Sequence, residues 1–349
     1  MVFKRLLGSL GVGGPAVDTV LDPGPVVPGG VLSGHVQLTG GDVDFTIEHV
    51  TLELVARVET EHEDGESEGA LVFHRHVVGG QFTLAAGEHR GVPFSFPVPW
   101  ETPITELYGQ GLGIVLGVRT ELGVASARDK SDLDPLTVRP LPVQEAVLEA
   151  LGQLGFGFKS ADLERGHIGG TGQQLPFYQE IELTPSPRYA HEVNEIELTF
   201  LAGPAGVEVV LEADKRGGLF SGGQDVLTRY TVGHHEAARP DWNTEVDGWI
   251  RRLVENRGAH GGYGTHDPYG QQHGYEGAYG GHGGHGGYGG HDKHDDHGHR
   301  SGPGIGTAVA AGAAGLAVGV VGGMVAAEVV DEIGDFFEGD EEDDGGDEG

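Results

Sequence analysis

Nine histidines fall between Ala259 and Arg300, spaced by glycine and tyrosine as in Gly281-His282-Gly283-Gly284-His285. Neutral imidazole is a good ligand for Zn, Ni and Cu, so this stretch can collect such ions. It carries too little apolar content to fold alone, and a flexible tether or weak tyrosine- and histidine-driven self-association are the competing readings. Elsewhere the candidates thin out. His74 and His76 flank Arg75 and share one face of a strand, a pair with no visible third ligand. His234 and His235 would point to opposite faces if they lie in a strand, so at most one could serve a given site. There is no Gly-x-Ser-x-Gly elbow and no His-Glu-x-x-His motif. The clusters Gly11 to Gly14 and Gly109 to Gly113 lack the strand–loop–helix setting and the following lysine of a phosphate loop, and Gly111-Leu112-Gly113 reads as a turn. No catalytic residue, cofactor site or specific metal ligand is assigned, and the protein is expected to be non-enzymatic.

Composition narrows the choice further. The 349 residues carry a net charge of −33, and no cysteine is present. Up to Gly258 there are 37 acidic and 19 basic residues, a net of −18, and the remainder carries 17 against 2, a net of −15. Neither part offers the basic footprint that nucleic acid requires, so DNA and RNA binding are disfavoured. The missing thiols exclude disulfide scaffolds, thiolate metal sites and cysteine nucleophiles, and fit a reducing, cytoplasmic setting. Lys4 and Arg5 precede only a short broken apolar stretch, which does not read as a signal peptide. Val2, Phe3, Leu6, Leu7 and Leu10 form one face of a short helix, and ten residues anchor only weakly to a membrane surface.

The elements that must position any site read as an all-β fold. In Val50-Thr51-Leu52-Glu53-Leu54, apolar and polar residues alternate, the mark of a half-buried strand. Ile114, Leu116, Val118, Leu122 and Val124 share one face of a longer run, with Arg119 and Glu121 on the other. Phe94, Phe96 and Val98 alternate with Pro93, Ser95 and Pro97, and prolines that cannot donate to a ladder place that strand at an edge. After a proline-rich linker, Val143, Val147, Ala150, Leu151 and Leu154 recur at helical spacing, opened by Pro142 and stopped by Gly155. Strand signals resume near Phe177, with Glu180, Glu182, Glu195, Glu197, Glu208 and Glu212 expected on solvent faces, where a charge costs little. Trp242, Val246, Trp249, Ile250 and Leu253 mark a closing helix over 241–256. The expected organisation is a β-sandwich over 1–130, a linker and helix over 131–158, and a second sandwich with its closing helix over 159–257.

Three further segments follow. Residues 258–303 form the disordered Gly/His/Tyr-rich stretch. Residues 304–327 carry no charge, and Gly315, Gly319 and Gly323 form a glycine ridge that lets helices approach closely. The length suffices to cross a bilayer, but glycine and alanine supply little insertion energy, so membrane association, soluble self-association and a loosely packed stretch all stay open. Residues 328–349 hold twelve carboxylates and no basic residue, an acidic tail in which Phe336 and Phe337 resemble a short docking peptide.

Val17-Asp18-Thr19-Val20-Leu21, Pro28-Gly29-Gly30 and Gly34 resemble the opening of the stage-zero sporulation protein M family. Phe94-Ser95-Phe96, Pro99, Thr102-Pro103-Ile104-Thr105 and the Leu151–Phe158 segment continue the likeness. So do Leu175-Pro176-Phe177 with Gln179-Glu180, Asn194-Glu195-Ile196-Glu197-Leu198, and Tyr230-Thr231-Val232 with His234-His235. The resemblance spans about residues 1–257. It implies two tandem arrestin-like β-sandwiches and a role in controlling sporulation or development, without enzymatic activity. The expected function is an arrestin-like scaffold or adaptor for protein partners. The alternatives are a membrane- or spore-envelope-associated structural protein that uses the glycine ridge, and a metal-binding protein that uses the histidine-rich stretch.

Overall fold

The computed structural model describes residues 13–62, 65–127, 129–213, 227–239 and 241–260. The expected N-terminal helix, the histidine-rich stretch, the glycine ridge of Gly315, Gly319 and Gly323, and the acidic tail lie outside the described residues. Among those described, no helix is long and apolar enough to cross a membrane.

The fold is mostly β. In the first half, β1 (Ala16–Leu21), β2 (Val31–Thr39) and β6 (His89–Pro97) form a three-stranded antiparallel sheet in the order β1-β2-β6. The proline-interrupted strand therefore lies at an edge, as its missing donors require. Facing this sheet is the long strand β3 (Phe45–His62), with β4 (Gly65–Gly79) and β5 (Phe82–Leu84) paired on one side. On its other side lies β9 (Leu116–Val124), followed by β10 (Lys130–Pro135). Alternate residues of β3, including Ile47, Val50, Leu52 and Leu54, are fully buried against Val36, Leu38 and Phe96 of the opposing sheet. A short hairpin, β7 (Glu106–Leu107) and β8 (Gln110–Gly111), projects between β6 and β9.

The linker helix α1 (Pro142–Gln153) starts where the proline fits the first turn and ends before Gly155, whose φ of +91° only glycine adopts without strain. Its buried stripe of Val143, Val147, Leu148 and Leu151 joins the common core. The second half runs as consecutive antiparallel strands: β11 (Gly157–Arg165), β12 (Phe177–Thr184), β13 (Ile196–Gly203), β14 (Gly206–Ala213) and β15 (Leu227–Gly233). Strand β11 meets β3 through one parallel pairing, Glu164 with Glu59, so both halves share a ten-stranded sheet. A 3₁₀ turn (His234–Ala238) leads into the closing helix α2 (Trp242–His260), which runs past the expected Asn256. Its stripe of Trp242, Val246, Trp249, Ile250 and Leu253 is buried, with the Trp249 ring stacked on Tyr230 at 4.6 Å.

Two charges expected on solvent faces are buried instead. Glu180 and Glu212 are only 8% and 7% exposed, because the polar face of the second-half sheet packs its carboxylates side by side. Glu53 is 2% exposed, although it alternates with the apolar residues of β3. Arg75 of β4 and Arg119 of β9 close over it, with Nε donating to its two oxygens at 2.5 and 2.8 Å. Losing Arg119 leaves the buried carboxylate short of counter-charge, which is costly, whereas Arg75 is 68% exposed and is easily solvated. Arg119→Ala is expected to lower unfolding stability by roughly 3 kcal/mol, read as a lower denaturant midpoint. A change within a few tenths of a kcal/mol would mean that this pair contributes nothing net.

Candidate functional site

The scattered sequence motifs converge at the junction between the two halves. Gly29 sits at φ +69°, and a Cβ there would lie 2.3 Å from the Trp100 ring, so the glycine is what lets the indole lie flat on the β1–β2 loop. The Pro99 carbonyl accepts from the amides of Gly29 and Thr102 at 3.2 Å each and from Thr102 Oγ1 at 2.8 Å, which holds the Pro99–Thr102 turn rigid. Trp100 then stacks on His234 of the second half, ring centroids 5.2 Å apart. His234 Nε2 lies 2.8 Å from the Gly203 carbonyl, which only accepts, so this nitrogen carries the proton.

Next to the stack, the Glu101 carboxylate receives the amides of Gln174 and Leu175 at 2.8–2.9 Å. Gln179 mimics a strand partner: its Oε1 accepts from Ile104 N at 2.9 Å and its Nε2 donates to Ile104 O at 2.8 Å. Phe73 of β4 meets the buried Phe177 edge-on at 5.6 Å. The void lined by Trp100, Glu101, Gln144, Phe177 and Gln179 is only about 10 Å³, room for one water at most. The junction is thus a clamp between halves rather than a ligand pocket.

His74 and His76 contribute to packing. His74 and His76 do share a face, but that face turns inward. Both rings stack on Phe96, at 5.6 and 4.5 Å, and close the open side of the first sandwich. Burial lowers the His74 pKa, and the neighbouring His76 lowers it further. His234 and His235 lie in the 3₁₀ turn and not in a strand, so the expected opposition of faces does not apply. Gly111-Leu112-Gly113 is not the expected turn: Gly111 lies in β8, the hairpin turn is at Tyr108-Gly109, and Gly113 bends the chain before β9 with φ +88°.

What sequence reading missed is a carboxylate cluster at the seam where β3 meets β11. Pairing puts Asp162 opposite Glu180, and carboxylate oxygens of Asp162, Glu164 and Glu180 lie within 4.8 Å of one another. Such a set of oxygens suits a hard cation, but protons relieve it too. Burial, then Glu164 and Glu59, push Asp162 up to about 7. Burial, then Glu197, raises Glu180 as well. A second crowding occurs between β1 and β10, where burial, then Asp132 and Asp18, push Asp134 up to about 7. Period-2 alternation assigns these residues to one face, but it is silent on which strands lie beside them.

The comparisons agree on one family. The family model described as SpoOM protein matches residues 3–217. The sporulation-control protein spo0M of Bacillus subtilis (strain 168) is 36% identical over 215 residues, covering 61% of this chain and 81% of that protein. The crystal structure of Spo0M, sporulation control protein, from Bacillus subtilis aligns with a TM-score of 0.61 at 31% identity. That alignment covers 70% of this chain and 99% of the crystallised one.

Two outcomes follow from the junction and the seam. Glu101→Ala leaves two amides unpaired and is expected to cost about 1–2 kcal/mol, with Glu101→Gln milder because one acceptor oxygen survives. Equal stability of all three proteins in urea titration would remove Glu101 from the clamp. Asp162 and Asp134 bind protons in the folded state below pH 7 that the unfolded chain has already released above its carboxylate pKa. Their contribution is full below about pH 4 and is lost as pH rises to about 7. Asp162→Asn is expected to gain less stability than wild type between pH 8 and pH 5.5. An identical pH profile for the two would show that Asp162 is ionised throughout.

Proposed function

The chain belongs to the SpoOM protein family, and on that premise we propose that it is a non-enzymatic sporulation-control protein working as an arrestin-like adaptor. It binds protein partners on its two β halves rather than turning over a substrate. One observation carries the reading: the motifs that mark the family are spent on fixing one half against the other. Gly29, Pro99, Thr102, Ile104, Gln179 and His234 all serve the junction through packing and hydrogen bonds. A rigid relation between two β platforms matters for presenting a surface, whereas chemistry would require convergence of reactive groups on a void large enough for a substrate.

The surface available for partners includes sheet edges. Among the described residues, β4 and β15 each pair with a strand on one side only, which suits recognition by strand addition. The acidic excess up to Gly258 favours partners with basic surfaces and speeds their encounter. The Bacillus subtilis relative is a sporulation-control protein, which supports the process in which such binding would act.

Expression of this chain in Bacillus subtilis cells that lack their own Spo0M is the direct test. The full chain is expected to restore normal sporulation at least in part, and Glu101→Ala, Gln179→Ala together to restore less while still accumulating. A full chain that accumulates and folds but restores nothing would refute the sporulation-control reading.

A further inference from the structure

Between the β7–β8 hairpin and the start of α1 lies a cleft of about 330 Å³, lined by Val27, Glu106, Tyr108, Arg139, Pro142 and Glu145 among others. The hairpin turn is Tyr108-Gly109, with φ of +53° and +75°, the pattern of a type I′ turn. Asparagine, aspartate or glycine fills the first position of such turns cheaply, whereas a bulky residue there is strained. Tyrosine is present nevertheless, and its side chain does not repay the strain by burial, since Tyr108 is 52% exposed. The hairpin has its own anchors. Leu107 and Leu112 are buried, Leu112 N donates to Thr105 O at 2.9 Å, and Thr105 N donates to Val138 O at 2.8 Å. The fold therefore holds the hairpin without the ring, which is displayed beside the cleft.

We propose that the Tyr108 cleft takes an arginine or lysine side chain from a basic segment of a protein partner. A cation over an aromatic face is attracted by the ring quadrupole. Glu106 and Glu145, which line the same cleft, supply the counter-charge and hydrogen-bond acceptors. Val27, Pro140 and Pro142 offer apolar wall for the aliphatic stem of such a residue. Arg139 also borders the cleft, and its donors suit main-chain carbonyls of the incoming segment. Charge complementarity selects the occupant, because residues up to Gly258 carry a net of −18 and favour a basic approach. Partial desolvation, then Glu145 and Glu149, raise the Tyr108 pKa, which marks these carboxylates of α1 as neighbours of the ring. The inference rests on the adaptor reading and gives it a partner chemistry.

The test uses the full chain with the peptide acetyl-Gly-Arg-Gly-Arg-Gly-amide as probe, read by amide chemical shifts and by affinity. Shifts are expected around Tyr108, Gly109 and Glu145. Tyr108→Asn is expected to weaken binding by about threefold or more while unfolding stability stays level or rises, because asparagine tolerates the turn conformation. Glu145→Gln is expected to weaken binding as well. Shifts confined to residues 328–349, or wild-type affinity in both variants, overturn the cleft. Loss of stability in Tyr108→Asn with unchanged affinity overturns it too, since the ring would then serve the fold. If the cleft fails while the full chain restores sporulation in the Bacillus subtilis cells, only this inference falls; if both fail, the adaptor reading falls with it.

Discussion

Both halves of the molecule depend on strand β3. Over its eighteen residues it pairs with β4 and β5 on one side and with β9 on the other, and near its end it meets β11 of the second half. A strand used this way lets one sheet run through two packed units, but the link to β11 is thin. It consists of a single parallel pairing, and the two residues that face each other are Glu164 and Glu59. Like charges opposite one another in a sheet oppose pairing. One apolar core runs through both halves, and the Trp100–His234 stack, the Glu101 carboxylate and the Gln179 amide add directional contacts to it.

Polar cement of this kind has geometric consequences that an apolar interface lacks. Hydrogen bonds to backbone amides fix both distance and direction, so the junction specifies one relation between the halves. Apolar contact at the same place, Phe73 on Phe177, supplies area but little direction. The same division of labour appears on the outer face of the first sandwich. There Glu53 locks β4, β3 and β9 together through two arginines, beside a small apolar cluster centred on Val55.

Charge is the recurring cost of this fold. A chain with a net of −33 concentrates repulsion wherever strand pairing aligns its carboxylates, and the seam at Asp162, Glu164 and Glu180 is the densest example among the described residues. Where lysine or arginine is within reach, the repulsion is balanced by ion pairs, as with Lys159 between Glu182 and Glu195 at 2.7–2.8 Å. At the seam, burial and neighbouring carboxylates raise the pKa of Asp162 and Glu180. Acidity of this degree also governs the outer surface, and it favours the approach of basic molecules over acidic ones.

Much of this was legible in the residues alone. The alternation in β3 and β9, the prolines of β6, the helix opened by Pro142 and stopped by Gly155, and the tryptophan stripe of α2 are local patterns, and local patterns carry periodicity. The collinear motifs also pointed to the family. Tertiary structure alone decided what those motifs are for. Glu101 reaches amides 73 residues away in the chain, and no spacing rule connects them. It also decided that His74 and His76 turn inward onto Phe96, that His234 occupies a 3₁₀ turn, and that Glu53 and Glu180 are buried. Periodicity states which face of a strand a side chain occupies. Whether that face meets solvent, an arginine or another carboxylate depends on the neighbouring strands, and only the folded chain places those.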